Sequence, residues 1–193
     1  MAHYFTNDAV EDKPFDISFS IAGKEFVLHS NQGVFSKEKL DEGTRFLIET
    51  VLKHESRPES ILDLGCGIGV VGVVLQSFYH TRMTMIDINA RAVSLARSNM
   101  EKYKLDADIY EQDGIREGMF DCIVFNPPIR IGKSAMYALF DQCIEHLSAN
   151  GTLWLVMRKQ HGAQSAIRYF EQKDCSAERV DRDKGYWILS VKK

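Results

Sequence analysis

Cysteine is scarce in this chain: there are four in 193 residues. Cys66, Cys122, Cys143 and Cys175 form no C-x-x-C pair, which argues against a zinc ribbon or a dithiol redox motif. Isolated thiols of this kind suit a reduced core in the cytosol. Long hydrophobic runs are missing as well. The longest, residues 68–75, includes Gly69 and Gly72, whereas a membrane helix needs about 20 apolar residues. The N-terminal stretch MAHYFTNDAVEDKP lacks the apolar segment of a secretory signal. His29, His146 and His161 show no metal-ligand spacing, so no metal is expected. No internal repeat or low-complexity segment stands out. A soluble, cytoplasmic protein without membrane contact is the expectation.

What is present fits a globular protein. Hydrophobic residues make up 45% and charged residues 26%, which excludes a disordered chain, a collagen-like fibre and a disulfide-dense miniprotein. A chain of 193 residues favours one domain and can bury roughly 70% of its unfolded surface. The net charge of −3 hides an asymmetry. Residues 127–193 hold 11 Lys and Arg against 7 Asp and Glu, while the two preceding thirds are acidic. A basic C-terminal third points weakly to a polyanionic partner.

Alternation in residues 15–21 and 25–30 around Ala22-Gly23-Lys24 predicts a β-hairpin. Residues 32–39 read as a loop and 41–54 as a helix ended by Arg57-Pro58. From there, strands alternate with helices. Strands are expected at 60–64, 82–88, 107–111, 120–125 and 152–157. Helices are expected at 69–79, 90–103, 133–147 and 163–172, with Asn150-Gly151 stopping the third of them. Val70, Val71, Val73 and Val74 favour a strand by propensity. The glycine loop before them, and the crossover that a parallel pair needs, favour a helix. Residues 176–180 and 186–191, joined at Asp183-Lys184-Gly185, must be antiparallel because their connection is too short for a crossover. The result is a mostly parallel α/β sheet closing in an antiparallel hairpin.

Four motifs fall at the carboxyl ends of strands, where open α/β sheets bind ligands. Asp63-Leu64-Gly65-Cys66-Gly67-Ile68-Gly69 leaves one strand and opens a helix; its glycines allow backbone to approach an adenosine-type ligand. The carboxylate of Asp63 suits a cationic, donor-rich ligand end and would repel a pyrophosphate. Asp87 ends the next strand, where an acid can take both ribose hydroxyls; the alternative is an N-cap for the following helix. Asp113-Gly114 offers an acceptor for an adenine amine, or a plain turn. Asn126-Pro127-Pro128 combines a side-chain acceptor with a stiff, N–H-poor turn. Two rigid acceptors facing one point would grip an amino group that donates two hydrogens.

Together Asp63 to Gly69, Asp87, Asp113 and Asn126-Pro127-Pro128-Ile129 resemble the successive motifs of class I S-adenosylmethionine-dependent methyltransferases. Gln32-Gly33-Val34-Phe35-Ser36, Leu40-Asp41-x-Gly43-Thr44 and Asn126-Pro127-Pro128-Ile129-Arg130-x-Gly132-Lys133 resemble the "methyltransferase small" family. The likeness runs from about His3 to Lys193. It implies a Rossmann-like fold with a seven-stranded sheet. A single methyltransferase domain would span residues 1–193, divided into an N-terminal hairpin-and-helix extension (1–57) and a catalytic core (58–193).

The resemblance also implies S-adenosylmethionine as cofactor, held by Asp63, Gly65, Cys66, Gly67, Gly69, Asp87, Ile88, Asp113, Gly114, Asn126 and Phe35. Asn126, Pro127 and Pro128 would be catalytic, and the target an exocyclic amine of an RNA base. Guanine N2 of small-subunit ribosomal RNA is favoured. Adenine N6 and a protein glutamine amide are the alternatives. Many Asn-Pro-Pro enzymes carry an aromatic residue next; here it is Ile129, which leaves Phe35 or Tyr137 to stack on the base. Ile129, Arg130, Lys133, Arg158 and Lys159 are the candidate RNA contacts. Larger ribosomal members carry a duplicated N-terminal domain, and this chain resembles their catalytic half alone. Monomer and homodimer both stay open.

Overall fold

A computed structural model describes residues 13–32, 34, 39–128 and 131–193. The chain opens with strands β1 (Pro14–Ile21) and β2 (Lys24–Asn31). They pair antiparallel across Ala22 and Gly23, both with positive φ, the two-residue turn whose twist matches paired strands. Ile17, Phe19 and Ile21 face inward with Phe26 and Leu28. Helix α1 (Glu42–His54) follows, capped by Asp41, whose side chain accepts from the Thr44 N–H.

The rest is the main sheet and its helices. In chain order these are β3 (Ser60–Leu64), α2 (Val70–Tyr79), β4 (Arg82–Asp87), α3 (Ala90–Lys102), β5 (Asp108–Glu111) and β6 (Phe120–Phe125). Then come α4 (Lys133–His146), β7 (Leu147–Arg158), a 3-10 turn (Lys159–His161), α5 (Ala163–Glu171), β8 (Ser176–Asp183) and β9 (Tyr186–Lys192). The seven strands lie in the order β5-β4-β3-β6-β7-β9-β8. All are parallel except β9, which runs against both neighbours. This is the Rossmann-like methyltransferase topology that the sequence leads one to expect, with the N-terminal hairpin in place.

Two apolar cores sandwich the sheet. On one side α1, α2 and α3 join the hairpin over Ile61, Met85, Val124 and Val156. On the other, α4 and α5 cover Leu62, Ile123, Phe125 and Leu155. The alternation of neighbouring strand residues between faces is the period-two rule of a doubly covered sheet. α2 is buried on nearly every side, which is why its sequence reads like a strand.

Two strands, at 147–158 and 176–183, run several residues beyond the sequence expectation. Asn150-Gly151 does not stop α4. The helix ends at His146, and β7 starts immediately at an extended Leu147 whose side chain is buried. Leu147 pairs with Phe120 before the register slips. Burial of Leu147 outweighs the turn propensity of Asn-Gly, and Gly151 serves close packing: a Cβ there would lie 2.8 Å from the Phe120 carbonyl oxygen. β8 also runs beyond residue 180, across an irregularity between Arg179 and Asp181.

The hairpin is bolted to the core by polar side chains of α3. The buried Asn99 amide accepts from the His29 N–H (2.7 Å) and donates to the carbonyls of His29 and Ile68 (both 2.9 Å). Just past α3, the Tyr103 hydroxyl accepts from the Val27 N–H at 2.7 Å. No helix among the described residues is long and apolar enough to cross a membrane. All four cysteines are free and buried.

Candidate active site

The carboxyl ends of β3, β4, β6 and β7 converge on one edge of the sheet. β3 and β6 pair with Leu64 opposite Phe125, so the glycine loop that follows β3 adjoins Asn126. Gly65, Gly67 and Gly69 all have positive φ. At Gly69 a side chain is excluded twice. The backbone is left-handed, and a Cβ would stand 3.0 Å from Met85 Cε and 3.2 Å from Ala96. Its absence lets α2 settle on β4 and α3. Gly69 caps α2 with no side-chain hydrogen bond of its own; in the first turn it is Asp63 that accepts from the Gly72 N–H. Cys66 is buried in this loop; its N–H donates to Ile86 and its carbonyl accepts from Gly69.

Asp63 is 3% exposed, and its Oδ2 accepts from the Gly72 N–H at 3.0 Å. Burial pushes its carboxyl up to about 7, with the charge of Asp87 adding to the rise and the Gly72 bond opposing it. Asp87 sits at the end of β4. Its Oδ2 accepts from the Gly67 N–H (2.8 Å) and its Oδ1 from the Asn89 N–H (2.9 Å). Burial raises its carboxyl too, against the pull of these backbone donors. Asp87 is not the helix cap, because the Asn89 side chain caps α3 by accepting from Arg91 and Ala92 N–H. Beside it Ile88 is 40% exposed. Asp113 is exposed and Gly114 buried. A Cβ on Gly114 would collide with Gln142, which accepts from the Ile115 N–H. A buried and a half-buried carboxylate beneath the glycine loop are a setting in which a cationic ligand end would favour their ionised forms.

Asn126 follows β6. Its Nδ2 donates to Thr44 Oγ1 at 3.0 Å, and Thr44 in turn hydrogen-bonds Asp41 Oδ2. Pro127 is buried, and the Pro128 carbonyl accepts from the Ile131 N–H. A cavity of about 30 Å³ adjoins Asn126 and Pro127; Met136, Arg158, His161 and Tyr186 also line it. Tyr186 opens the reversed strand β9, which brings it to the ligand edge. The Arg158 guanidinium lies 4.4 Å from its ring centroid and donates to its hydroxyl at 2.7 Å.

The proposed RNA contacts scatter more widely. Lys133 is exposed at the start of α4, with Nζ over the Tyr137 ring, and Lys159 is exposed after β7. Tyr137, a candidate to stack on the base, is half-buried, and its ring packs against Phe140 and Tyr169. Phe35, Ile129 and Arg130 lie outside the described residues. The sequence offered no signal for Thr44 as a partner of Asn126, nor for Tyr186 and His161 beside it. Among the described residues, no group of three or more His, Cys, Asp or Glu could hold a metal ion.

Comparison with known proteins agrees with the fold. Residues 25–190 match the family model of the methyltransferase small domain. A Bacillus subtilis protein of uncharacterized function, YbxB, is 38% identical over 99% of this chain and 98% of its own length. The ribosomal RNA small subunit methyltransferase C of Haemophilus influenzae is 35% identical over 69% of this chain and 42% of its own. The chain thus spans less than half of that relative. Among solved structures, the Thermus thermophilus 16S rRNA N2 G1207 methyltransferase, in complex with AdoMet and guanosine, superposes with a TM-score of 0.80. That match has 23% identity and covers 93% of this chain and 50% of that one. A ribosomal protein L11 methylase from Lactobacillus delbrueckii superposes at 0.70 with 17% identity, over 83% of this chain and 87% of its own.

Proposed function

Because the chain belongs to the methyltransferase small domain family, we propose that it transfers a methyl group from S-adenosylmethionine to guanine N2 of small-subunit ribosomal RNA in the cytoplasm. The observation that carries this reading is the adjacency of the glycine loop and Asn126, fixed by the pairing of Leu64 with Phe125. It puts a cofactor cradle next to an amine-gripping turn.

The residues present fit the cofactor. Space is open over Gly67, where an added Cβ would meet nothing within 4 Å. Asp87 stands at the lip of the loop for the ribose hydroxyls, and exposed Ile88 offers an apolar seat for adenine. Asp63, beneath the loop, would ionise against the ammonium end, a nearby cation offsetting the burial that raises its carboxyl. Asp113 and Gly114 would border the adenine amine, and Phe35 is a further candidate contact. When bound, the cofactor supplies an electrophilic methyl on a sulfonium.

The chain's own task is to aim the nucleophile. A guanine N2 lone pair is delocalised into the ring. Acceptance of its two hydrogens by Asn126 Oδ1 and the Pro127 carbonyl localises that pair and points it at the methyl. Pro128 stiffens the turn. The nitrogen becomes cationic as the bond forms and then sheds a proton to water, so no strong base is needed. Positioning of this kind lowers barriers by roughly 7–11 kcal/mol. The base must be splayed out of the RNA to reach the turn. Ile129, Arg130, Lys133, Arg158 and Lys159 are the proposed grip on base and phosphates, in a monomer or homodimer. A single domain spanning residues 1–193 follows from the same reading.

The test is labelled methyl transfer to small ribosomal subunits by the wild type and Asn126→Ala. The wild type is expected to label the RNA. The variant is expected to lose about 10²–10³ of the rate, as when one placed hydrogen-bonding group is removed from other active sites, while still binding S-adenosylmethionine. An Asn126→Ala protein as active as wild type would refute this role.

A further inference from the structure

We infer that Thr44, itself directed by Asp41, is a positioning residue that fixes which end of the Asn126 amide faces the target amine; this rests on the role of Asn126 proposed above. An asparagine amide is nearly symmetric in shape and opposite in chemistry at its two ends. Turned one way, Oδ1 accepts a hydrogen from the target amine. Turned the other way, an NH2 group meets another NH2 group and repels it. The site works only if something reads the difference.

Thr44 reads it. Asp41 Oδ2 lies 3.2 Å from Thr44 Oγ1, and an ionised carboxylate can only accept. The single hydroxyl proton of Thr44 is therefore committed to Asp41. What remains on Oγ1 toward Asn126, 3.0 Å away, is lone pairs. Those accept from Nδ2 and would repel Oδ1. The amide oxygen is thus turned away from Thr44 and left for the substrate. The direction is passed along three groups: carboxylate, hydroxyl, amide.

The first member is itself held in place. Asp41 is the cap of α1, where the same Oδ2 accepts the Thr44 N–H at 2.9 Å. Carboxylate and hydroxyl are fixed by one helical turn. That turn presses on the ligand edge of the sheet, where a Cβ at Gly43 would come within 2.8 Å of Tyr186 Cε1. Thr44 is buried. Helix α1, which precedes the cofactor fold, therefore reaches into the chemistry through one hydroxyl, 82 residues away in sequence from the amide it orients.

Thr44→Val keeps the shape and the backbone cap while deleting the hydroxyl; Thr44→Ser keeps the hydroxyl. In methyl transfer to small subunits, Thr44→Val should lower kcat about 10- to 100-fold, the cost of a misoriented group. S-adenosylmethionine affinity should stay within about twofold. Thr44→Ser should stay within about threefold of wild type, the range within which one ordinary hydrogen bond varies. An unchanged kcat in Thr44→Val beside an inactive Asn126→Ala overturns the positioning role and leaves the reading of Asn126 standing. A fully active Asn126→Ala overturns both. A second readout needs no substrate. The side-chain NH2 signals of Asn126, identified by their loss in Asn126→Ala, should shift in Thr44→Val and persist in Thr44→Ser. Signals unchanged in Thr44→Val also overturn the proposal.

Discussion

Asn99 is the strongest single test of how the N-terminal hairpin and the cofactor loop are coupled. Its side chain is fully buried and joins three backbone groups: the N–H and carbonyl of His29 in β2 and the carbonyl of Ile68 in the glycine loop. Asn99→Ala deprives all three. The Ile68 carbonyl is buried, and stranding it costs about 1–3 kcal/mol. The His29 groups are partly solvated, and each loses about 1 kcal/mol. The total is about 3–5 kcal/mol, which for a chain of this size lowers Tm by about 6–20 °C. Asn99→Asp should be worse at neutral pH, since an acceptor-only carboxylate would face two carbonyl oxygens, and its deficit should shrink on acidification. Urea unfolding of both variants measures the effect. Because Ile68 lies in the loop, S-adenosylmethionine affinity should fall with stability. An Asn99→Ala protein within about 1 kcal/mol of wild type would refute this account of the junction.

Other expectations follow from the same geometry. The Asp63 carboxyl is held near 7 in the folded protein, against 3.8 for an ordinary aspartate. The folded state therefore binds the extra proton between about pH 4 and 7, and the stability of the cofactor-free protein should fall as pH rises through that window. Asp63→Asn keeps an acceptor for the Gly72 N–H, so it should flatten this slope, melt higher than wild type at pH 8 and bind S-adenosylmethionine more weakly. Thermal melts and calorimetry across pH check both, and a variant that melts lower at pH 8 would contradict the assignment. Gly69→Ala meets both a left-handed backbone and contacts near 3 Å. It should cost about 1–3 kcal/mol and weaken cofactor binding, as denaturation and calorimetry would show.

The fold was largely legible because its signals are local. The glycine loop identified α2 as a helix although four valines argued for a strand. The short Lys184-Gly185 turn required the reversed last strand. Asn150-Gly151 misled because turn propensity is local too, while burial of Leu147 against the sheet is not. Asp63, Asp87 and Asn126 were visible as residues at strand ends. Their partners were not. Thr44 reaches Asn126 only when α1 folds across the sheet, and Tyr186 reaches the site only because β9 runs backward. Nor does any sequence pattern disclose that the ring of Tyr137 packs against Phe140 and Tyr169.

The most direct test of the central claim is the identity of the methylated nucleoside. Small ribosomal subunits would be incubated with the protein and labelled S-adenosylmethionine, and the RNA digested and resolved by mass spectrometry. Label in N2-methylguanosine is the predicted result. Label in N6-methyladenosine, or only in protein glutamine, would contradict it.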